Sequence, residues 1–278
     1  MKHLYIIGNG FDLHHGIPSS YKQYMTWLIC HYPDLYDEIA RTFKDADEDS
    51  WWADFEHRLA EVEYMYDLSI QIYPDIKVLG VEIKGTNSPE RLAATFKAVQ
   101  KTFTLWVYSL NELLLEYQPD LKLDPDATYL TFNYTNTLQD LYHIPDKHVL
   151  HIHGKAERGD ELIIGHESDG NDFALKQLEE VGFQKKPYRI SRQIAVLRKP
   201  TERIIEMNRA FFESLSDVET ITVYGFSFSS IDMPYIREII KHIKSSGVKW
   251  QIYVHSKKDE KRIEKCDEMW LQDVELWI

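Results

Sequence analysis

The chain has 278 residues, 44% hydrophobic and 28% charged, enough for one large domain with a real core or for two small ones. Its formal net charge of −13 argues against bulk nucleic-acid binding, which needs a positive footprint. No apolar run approaches the roughly 20 residues of a membrane span, Met1-Lys2 leads straight into a strand so that no signal peptide is expected, and Cys30 and Cys266 make no disulfide framework, all of which points to a reducing cytoplasm.

Leu4 to Ile7 form an unbroken apolar run, the pattern of a strand buried on both faces of a parallel sheet. It stops at Gly8-Asn9-Gly10, where glycine lets a ligand or another backbone approach closely. The dinucleotide fingerprint is not met, because Leu13 stands where its third glycine belongs. No helix is expected to open at these glycines. Ser20 and Gln23 read as a capping box, which leaves Gly8 to Ser19 as a polar loop holding Asn9, Asp12, His14 and His15.

Tyr21, Tyr24, Met25 and Leu28 have helical spacing, and that helix should end near Pro33. Asp45 to Asp49 reads as a linker or helix start, and Trp52, Phe55, Leu59, Val62 and Tyr66 mark an amphipathic helix. Pro74 to Thr86 is loop-like with weak strand character. Ser88-Pro89 opens a long helix, with proline at its first position. Its apolar residues, from Leu92 through Phe96, Val99, Phe103 and Trp106 to Tyr117, recur as a coiled-coil-like seam that must pack on another helix, and the helix around Phe55 is the expected partner. The resulting expectation is a single α/β domain over 1–278 with a helical insertion at 45–118.

The α/β pattern then returns. Strands are expected over Tyr129–Phe132, Val149–Ile152, Leu162–Ile164, Thr220–Tyr224 and, last, Trp250–Val254. Helices are expected over Thr201–Leu215, from Ser229-Ser230 through Ile243, and over Glu260–Met269. One segment departs from the acidic balance: Lys185, Lys186, Arg189, Arg192, Arg198, Lys199, Arg203 and Arg209 are opposed only by Glu202 and Glu206, which suggests a local anion site. A solvated helix surface fits any single one of these cations equally well.

Several strands end in a small or polar residue followed by hydroxyls, amides or imidazoles: Gly8-Asn9-Gly10, Thr131-Phe132-Asn133-Tyr134-Thr135, His151-Ile152-His153-Gly154 and Tyr224-Gly225-Phe226-Ser227. In a parallel sheet all carboxyl ends lie on one edge, so these groups can converge on one cleft. The fold class expected is α/β: a Rossmann-like, mostly parallel sheet with helices on both faces and a helical insertion.

At these residues the chain resembles the AbiH family of phage abortive-infection proteins. Ile7 to Leu13 with Gly16 to Tyr21 looks like the family's opening. Trp52-Ala53-Asp54-Phe55-Glu56, Thr131 to Thr135, His151 to Gly154, Lys199-Pro200-Thr201 and Tyr224 to Ser227 continue it in order over nearly the whole chain. A fainter resemblance is to sirtuin-like NAD-binding domains. It implies that Gly8 and Gly10 match their glycine turn, Asn133 their asparagine, His153 their histidine, and Gly225 with Ser227 a late contact. Asn9 and Thr135 depart from that pattern, and no zinc-binding cysteine quartet is present, so protein deacetylation is not implied.

The resemblance implies NAD as a substrate, cleaved to nicotinamide and ADP-ribose in anti-phage defence. Breaking the nicotinamide–ribose bond builds positive charge on the ribose, as in glycoside hydrolysis. Asn133 and His153 are then the catalytic candidates, His153 as general base. Gly8, Asn9, Gly10, Asp12, Thr131, Thr135, Lys199, Gly225 and Ser227 are the candidates for binding, with glycine N–H groups taking phosphate oxygens. Taken singly, His153 fits a buried imidazole and Asn133 a turn-forming side chain equally well. A rival reading is a metal-dependent nucleotide or nucleic-acid hydrolase, since His151 and His153 alternate along one strand and would share a face, with Asp12, His14 and His15 as further ligands. A third is a nucleotide-sensing module without catalysis. The NAD reading expects no metal and a small-molecule nucleotide as partner, and leaves open a phage-derived trigger and a homo-oligomer.

Overall fold

The computed structural model describes residues 2–43, 45–59, 73–85, 88–156, 162–166, 197–244, 247–253 and 274–277. Lys185, Lys186, Arg189, Arg192, Cys266, the Val62–Tyr66 end of the second expected helix and the helix expected over Glu260–Met269 lie outside them. The chain divides into two compact units, one formed by Met1–Ser19, Val107–Leu162 and Pro200–Ile278, the other by Ser20–Trp106 and Ile163–Lys199.

Strands are numbered in chain order: β1 (Lys2–Ile7), β2 (Ile76–Val78), β3 (Val81–Ile83), β4 (Thr128–Thr131), β5 (Val149–His151), β6 (Val218–Tyr224), β7 (Lys249–Tyr253) and β8 (Val274–Trp277). The first unit holds a six-stranded sheet in the order β5-β4-β1-β6-β7-β8, and every neighbouring pair in it is parallel. This is the doubly wound α/β arrangement, whose connections reverse direction between β1 and β6. The fold expected from the pattern is the fold observed. Leu4, Ile6 and Ile7 are fully buried and Tyr5 nearly so. Tyr5 and Ile7 join Phe11, Tyr129, Leu138, Val149 and Tyr224 in one cluster, because alternate residues of a strand share a face.

The register aligns the strand ends. Ile7 pairs with both Thr131 and Tyr224, and Thr131 with His151. The carboxyl ends of β5, β4, β1 and β6 therefore stand in one row, and the four polar strand endings leave the sheet along the same edge.

Several expectations change. A short helix, Gly10–His14, does open at the glycines; the Leu13 N–H reaches the Asn9 carbonyl and the Phe11 N–H the Gly8 carbonyl, so the chain turns as soon as β1 ends. Residues 162–165 form no strand; the segment instead bridges His166 to Arg198. Trp250 does not begin the last strand, since β8 pairs beyond it. The helix expected over Thr201–Leu215 is two, Thr201–Met207 and Arg209–Glu213, broken at Asn208, whose side-chain amide donates to the Ile204 carbonyl. The helix expected after Ser229 runs over Met233–His242.

The second unit is mostly helical. Its first helix, Tyr21–His31, starts at the capping box read from sequence: the Ser20 hydroxyl accepts from the Gln23 N–H, and the Gln23 side chain accepts from the Ser20 N–H. A helix not read from sequence, Pro33–Thr42, comes next, with proline in its first turn. The Trp52–Phe55 region forms two short helices, Asp49–Ala53 and Phe55–Arg58, with Asp54 between them. The loop-like stretch after Pro74 contains the antiparallel hairpin of β2 and β3. Its turn residues Leu79 and Gly80 both have positive φ, the primed turn that matches strand twist.

The long helix runs Pro89–Leu113, and the Ser88 hydroxyl accepts from the Arg91 N–H near its start. The part up to Trp106 belongs to the second unit. The aromatic contacts on this part come from the helix Tyr21–His31: Tyr24 packs on Phe103 and Trp106, and on Phe55 from the other side, and its hydroxyl bonds Thr102 at 2.7 Å. Arg91 and Glu38 form a buried two-pronged pair, both bonds 2.7 Å. Among the described residues, no helix is long and apolar enough to cross a membrane.

Candidate functional site

The glycines at the reversal point are used for packing. A Cβ on Gly8 would lie 2.6 Å from the Gly225 carbonyl oxygen, and one on Gly10 2.6 Å from the Gly225 Cα. Gly225 itself has φ +64, and a Cβ there would lie 2.2 Å from the Phe11 nitrogen. The loops after β1 and β6 thus meet backbone to backbone, which no side chain larger than hydrogen permits. The N–H groups are engaged as well: Gly8 donates to the Tyr224 carbonyl and Gly10 to the Gly225 carbonyl, both at 2.9 Å. These two donors, expected to face a phosphate, are spent within the protein. The Asn9 side chain is also turned inward on its own loop, donating to the Ser19 carbonyl at 3.0 Å and accepting from the Ser19 hydroxyl at 2.7 Å. Ser227, beyond Gly225, is exposed.

A buried polar cluster stands beside this junction. The short helix after Gly10 carries Asp12 inward, where it is 1% exposed. The Thr135 hydroxyl donates to Asp12 Oδ2 at 2.6 Å, and the Thr137 hydroxyl donates to Thr135 at 3.0 Å. Asp12 Oδ1 is buried without a hydrogen-bond partner. Burial pushes the Asp12 carboxyl above its ordinary value; the Thr135, Thr137 and Asn133 side chains and the nearby His15 oppose that shift.

Asn133 leaves the end of β4 with its backbone fixed at both ends. Its N–H donates to the Thr131 hydroxyl at 3.1 Å, and its carbonyl accepts from His151 Nδ1 at 2.9 Å. Its side chain is different: Oδ1 and Nδ2 are both buried and neither has a hydrogen-bond partner. The amide lies near enough to Asp12 to favour the carboxylate, yet not in bonding geometry. Buried polar groups are almost always paired, and here Asp12 Oδ1 and both polar atoms of the Asn133 amide are not.

His153 follows β5 and is 2% exposed. Its ring packs against Phe132, Tyr134 and Tyr235 at centroid distances of 5.4, 6.3 and 5.5 Å, and its Nε2 lies 3.7 Å from Asp232 Oδ1. The alternation expected to bring His151 and His153 to one face is absent, because the strand stops at His151 and a turn comes next, closed by the Gly154 N–H on the His151 carbonyl. His151 donates through Nδ1 to Asn133, and its Nε2 faces the Gln139 amide at 2.9 Å. His14 and His15, the other ligands of the metal reading, both meet Asp120, at 2.9 and 3.1 Å. Among the described residues, no group of three His, Cys, Asp or Glu is arranged to hold a metal ion.

In the second unit, Lys199 is buried with its ammonium 3.2 Å from Glu56. The Glu56 carboxylate is also 3.4 Å from the Gly165 N–H. The motif residues Glu56 and Lys199, far apart in sequence, thus form an ion pair.

The site residues that sequence reasoning missed are Thr137 and Asp232. The spacing Thr135-x-Thr137 is visible in the sequence but has no partner there until Asp12 is placed. Asp232 is not singled out from sequence, where the cap of the helix that follows it is read at Ser229-Ser230.

The class of protein is therefore a doubly wound parallel α/β protein with a buried polar cluster at the carboxyl edge of its sheet, beside a sealed glycine junction. The family model described as Bacteriophage abortive infection AbiH matches residues 4–254, and the chain belongs to that family, which assigns it to phage abortive infection. Comparison with curated protein sequences returns no match.

Proposed function

We propose that this chain acts in abortive infection by binding NAD, or a related nucleotide, at the carboxyl edge of its sheet and hydrolysing it to nicotinamide and ADP-ribose. The observation that carries the reading is the pair of orphaned groups: the Asn133 amide and Asp12 Oδ1, buried side by side where doubly wound sheets bind nucleotides. An amide with a free donor and a free acceptor suits a ribose hydroxyl or an attacking water. His153 takes the proton of that water as it adds to the ribose carbon and nicotinamide departs. The oxocarbenium-like charge that develops lies within reach of buried acceptors rather than bulk solvent.

The glycines serve this site by drawing the β1 and β6 loops together and setting the position of Asp12. The compartment is the cytoplasm, where NAD is available, and the trigger comes from the phage.

One observation favours a second reading, nucleotide sensing without turnover: Asp12, Asn133 and His153 are all nearly inaccessible, at 1, 6 and 2% exposure. Incubating the purified chain with NAD and separating the products by chromatography decides between them. Nicotinamide and ADP-ribose in equal amounts, lost in His153→Ala, support hydrolysis. Bound but intact NAD supports sensing. No binding by calorimetry at millimolar NAD overturns both.

A further inference from the structure

Asp232 immediately precedes the helix Met233–His242, where an aspartate ordinarily caps the first turn with its carboxylate. Here the side chain makes no cap. Its Oδ2 accepts from the Ser229 hydroxyl at 3.5 Å, and its Oδ1 lies 3.7 Å from His153 Nε2. The residue is 9% exposed, so a carboxylate that would gain from capping in water is held instead in a largely buried position beside an imidazole. The titratable side chains facing His153 in these contacts are Tyr134, Tyr235 and Asp232, and of these only Asp232 is a carboxylate. The Tyr235 ring stands on the same helix, in its first turn, and packs on both His153 and Phe132.

We infer that Asp232 is the positioning residue of His153, orienting its ring and stabilising the imidazolium formed when His153 takes a proton. This rests on the reading of His153 as general base. Within that reading the balance is simple. The nicotinamide–ribose bond breaks and the water–ribose bond forms. The water's proton moves to His153, and the resulting cation sits 3.7 Å from the Asp232 carboxylate. Ser229, holding the other carboxylate oxygen, is the outer member of the arrangement.

The test is histidine NMR titration of the full chain, with the His153 signal assigned by its loss in His153→Gln. Asp232→Asn should lower the His153 titration midpoint by about one pH unit, the effect of removing an opposite charge at this range, and leave the other histidines in place. Asp232→Glu should restore most of the shift, which a merely structural role would not do. Should Asp232→Asn fail to fold, Ser229→Ala gives the same readout with a smaller displacement. An unchanged His153 midpoint in a folded variant overturns the inference. In the NAD assay, the acid limb of the pH–rate profile should move to lower pH by the same interval, because the base stays neutral further into acid. A wild-type protein that cleaves no NAD but shows the NMR shift refutes the hydrolysis reading and leaves the His153–Asp232 pairing standing.

Discussion

Replacing Gly225 with alanine should strip stability from the sheet-bearing unit far beyond an ordinary glycine substitution. The new Cβ would lie 2.2 Å from the Phe11 nitrogen and 2.4 Å from the Gly10 carbonyl carbon. Both are backbone atoms, so no rotamer change relieves the clash and the loops must separate. Three costs add. A left-handed backbone with a Cβ costs about 1–2 kcal/mol. Overpacking costs about 1–3 kcal/mol. Losing the bond from the Gly10 N–H to the Gly225 carbonyl costs about 1 kcal/mol. The sum, about 3–6 kcal/mol, lowers Tm by roughly 6–24 °C at the 2–4 °C per kcal/mol usual for domains of this size. Gly247→Ala is the control: its φ is +83 with nothing within 4 Å of the new Cβ, so only the backbone cost of about 1–2 kcal/mol applies. Differential scanning calorimetry of the two variants beside wild type measures the gap. Equal shifts in the two variants would refute the close packing of the β1 and β6 loops. The same geometry governs a valine in place of Gly8 (Gly8→Val), whose side chain would meet the Gly225 carbonyl. Lost nucleotide binding in that variant should be accompanied by a lower Tm.

Asp12→Asn should flatten the pH dependence of stability. With its folded-state carboxyl raised by burial, the folded chain keeps a proton that the unfolded chain has released once pH exceeds the ordinary 3.8. Unfolding free energy contributed by this group therefore falls as pH rises through the window up to the raised value, and urea melts across that window should show the Asp12→Asn variant gaining on wild type as pH increases; a gap constant with pH sinks the reasoning. Arg91→Met removes two charge-assisted bonds from Glu38, which keeps Arg41 at 2.9 Å, and should cost about 2–3 kcal/mol, short of the roughly 3–5 kcal/mol of a fully uncompensated buried charge, with part of it recovered in Arg91→Met with Glu38→Leu; chemical denaturation checks both, and equal stability of the single and double variants would contradict it. In the NAD assay, His153→Ala should lower kcat by roughly 10²- to 10⁴-fold with binding retained, whereas Asn133→Ala should weaken binding as well, since its amide would hold ground state and transition state alike.

What the sequence determined by itself is local. An apolar run ending in glycine makes β1 a buried strand, since burial on both faces needs no information from elsewhere. Ser20 and Gln23 cap a helix because both bonds lie within one turn, and Pro89 opens another because its missing N–H costs nothing there. The four polar strand endings were legible, and parallel topology alone puts them on one edge. What only the tertiary structure decided is who faces whom across long separations. Asp12 meets Thr135 over 123 residues, and Glu56 meets Lys199 over 143. The same distance in sequence hid the contact of Gly225 with Gly10. From sequence, those glycines read as room for a phosphate; in the fold, the room is filled by another backbone. His151 and His153 read as a pair because the sequence pattern carries the strand past His151, and a turn at that point sends them to different neighbours. The cap of the last described helix is read from sequence at Ser229-Ser230, but the helix starts at Met233, and the 3.7 Å approach of Asp232 to His153, far earlier in the chain, appears only in the fold. Side-chain periodicity is set by bonds within a few residues, whereas the chemistry of a buried site is set by which strands register beside one another, and that is a property of the whole sheet.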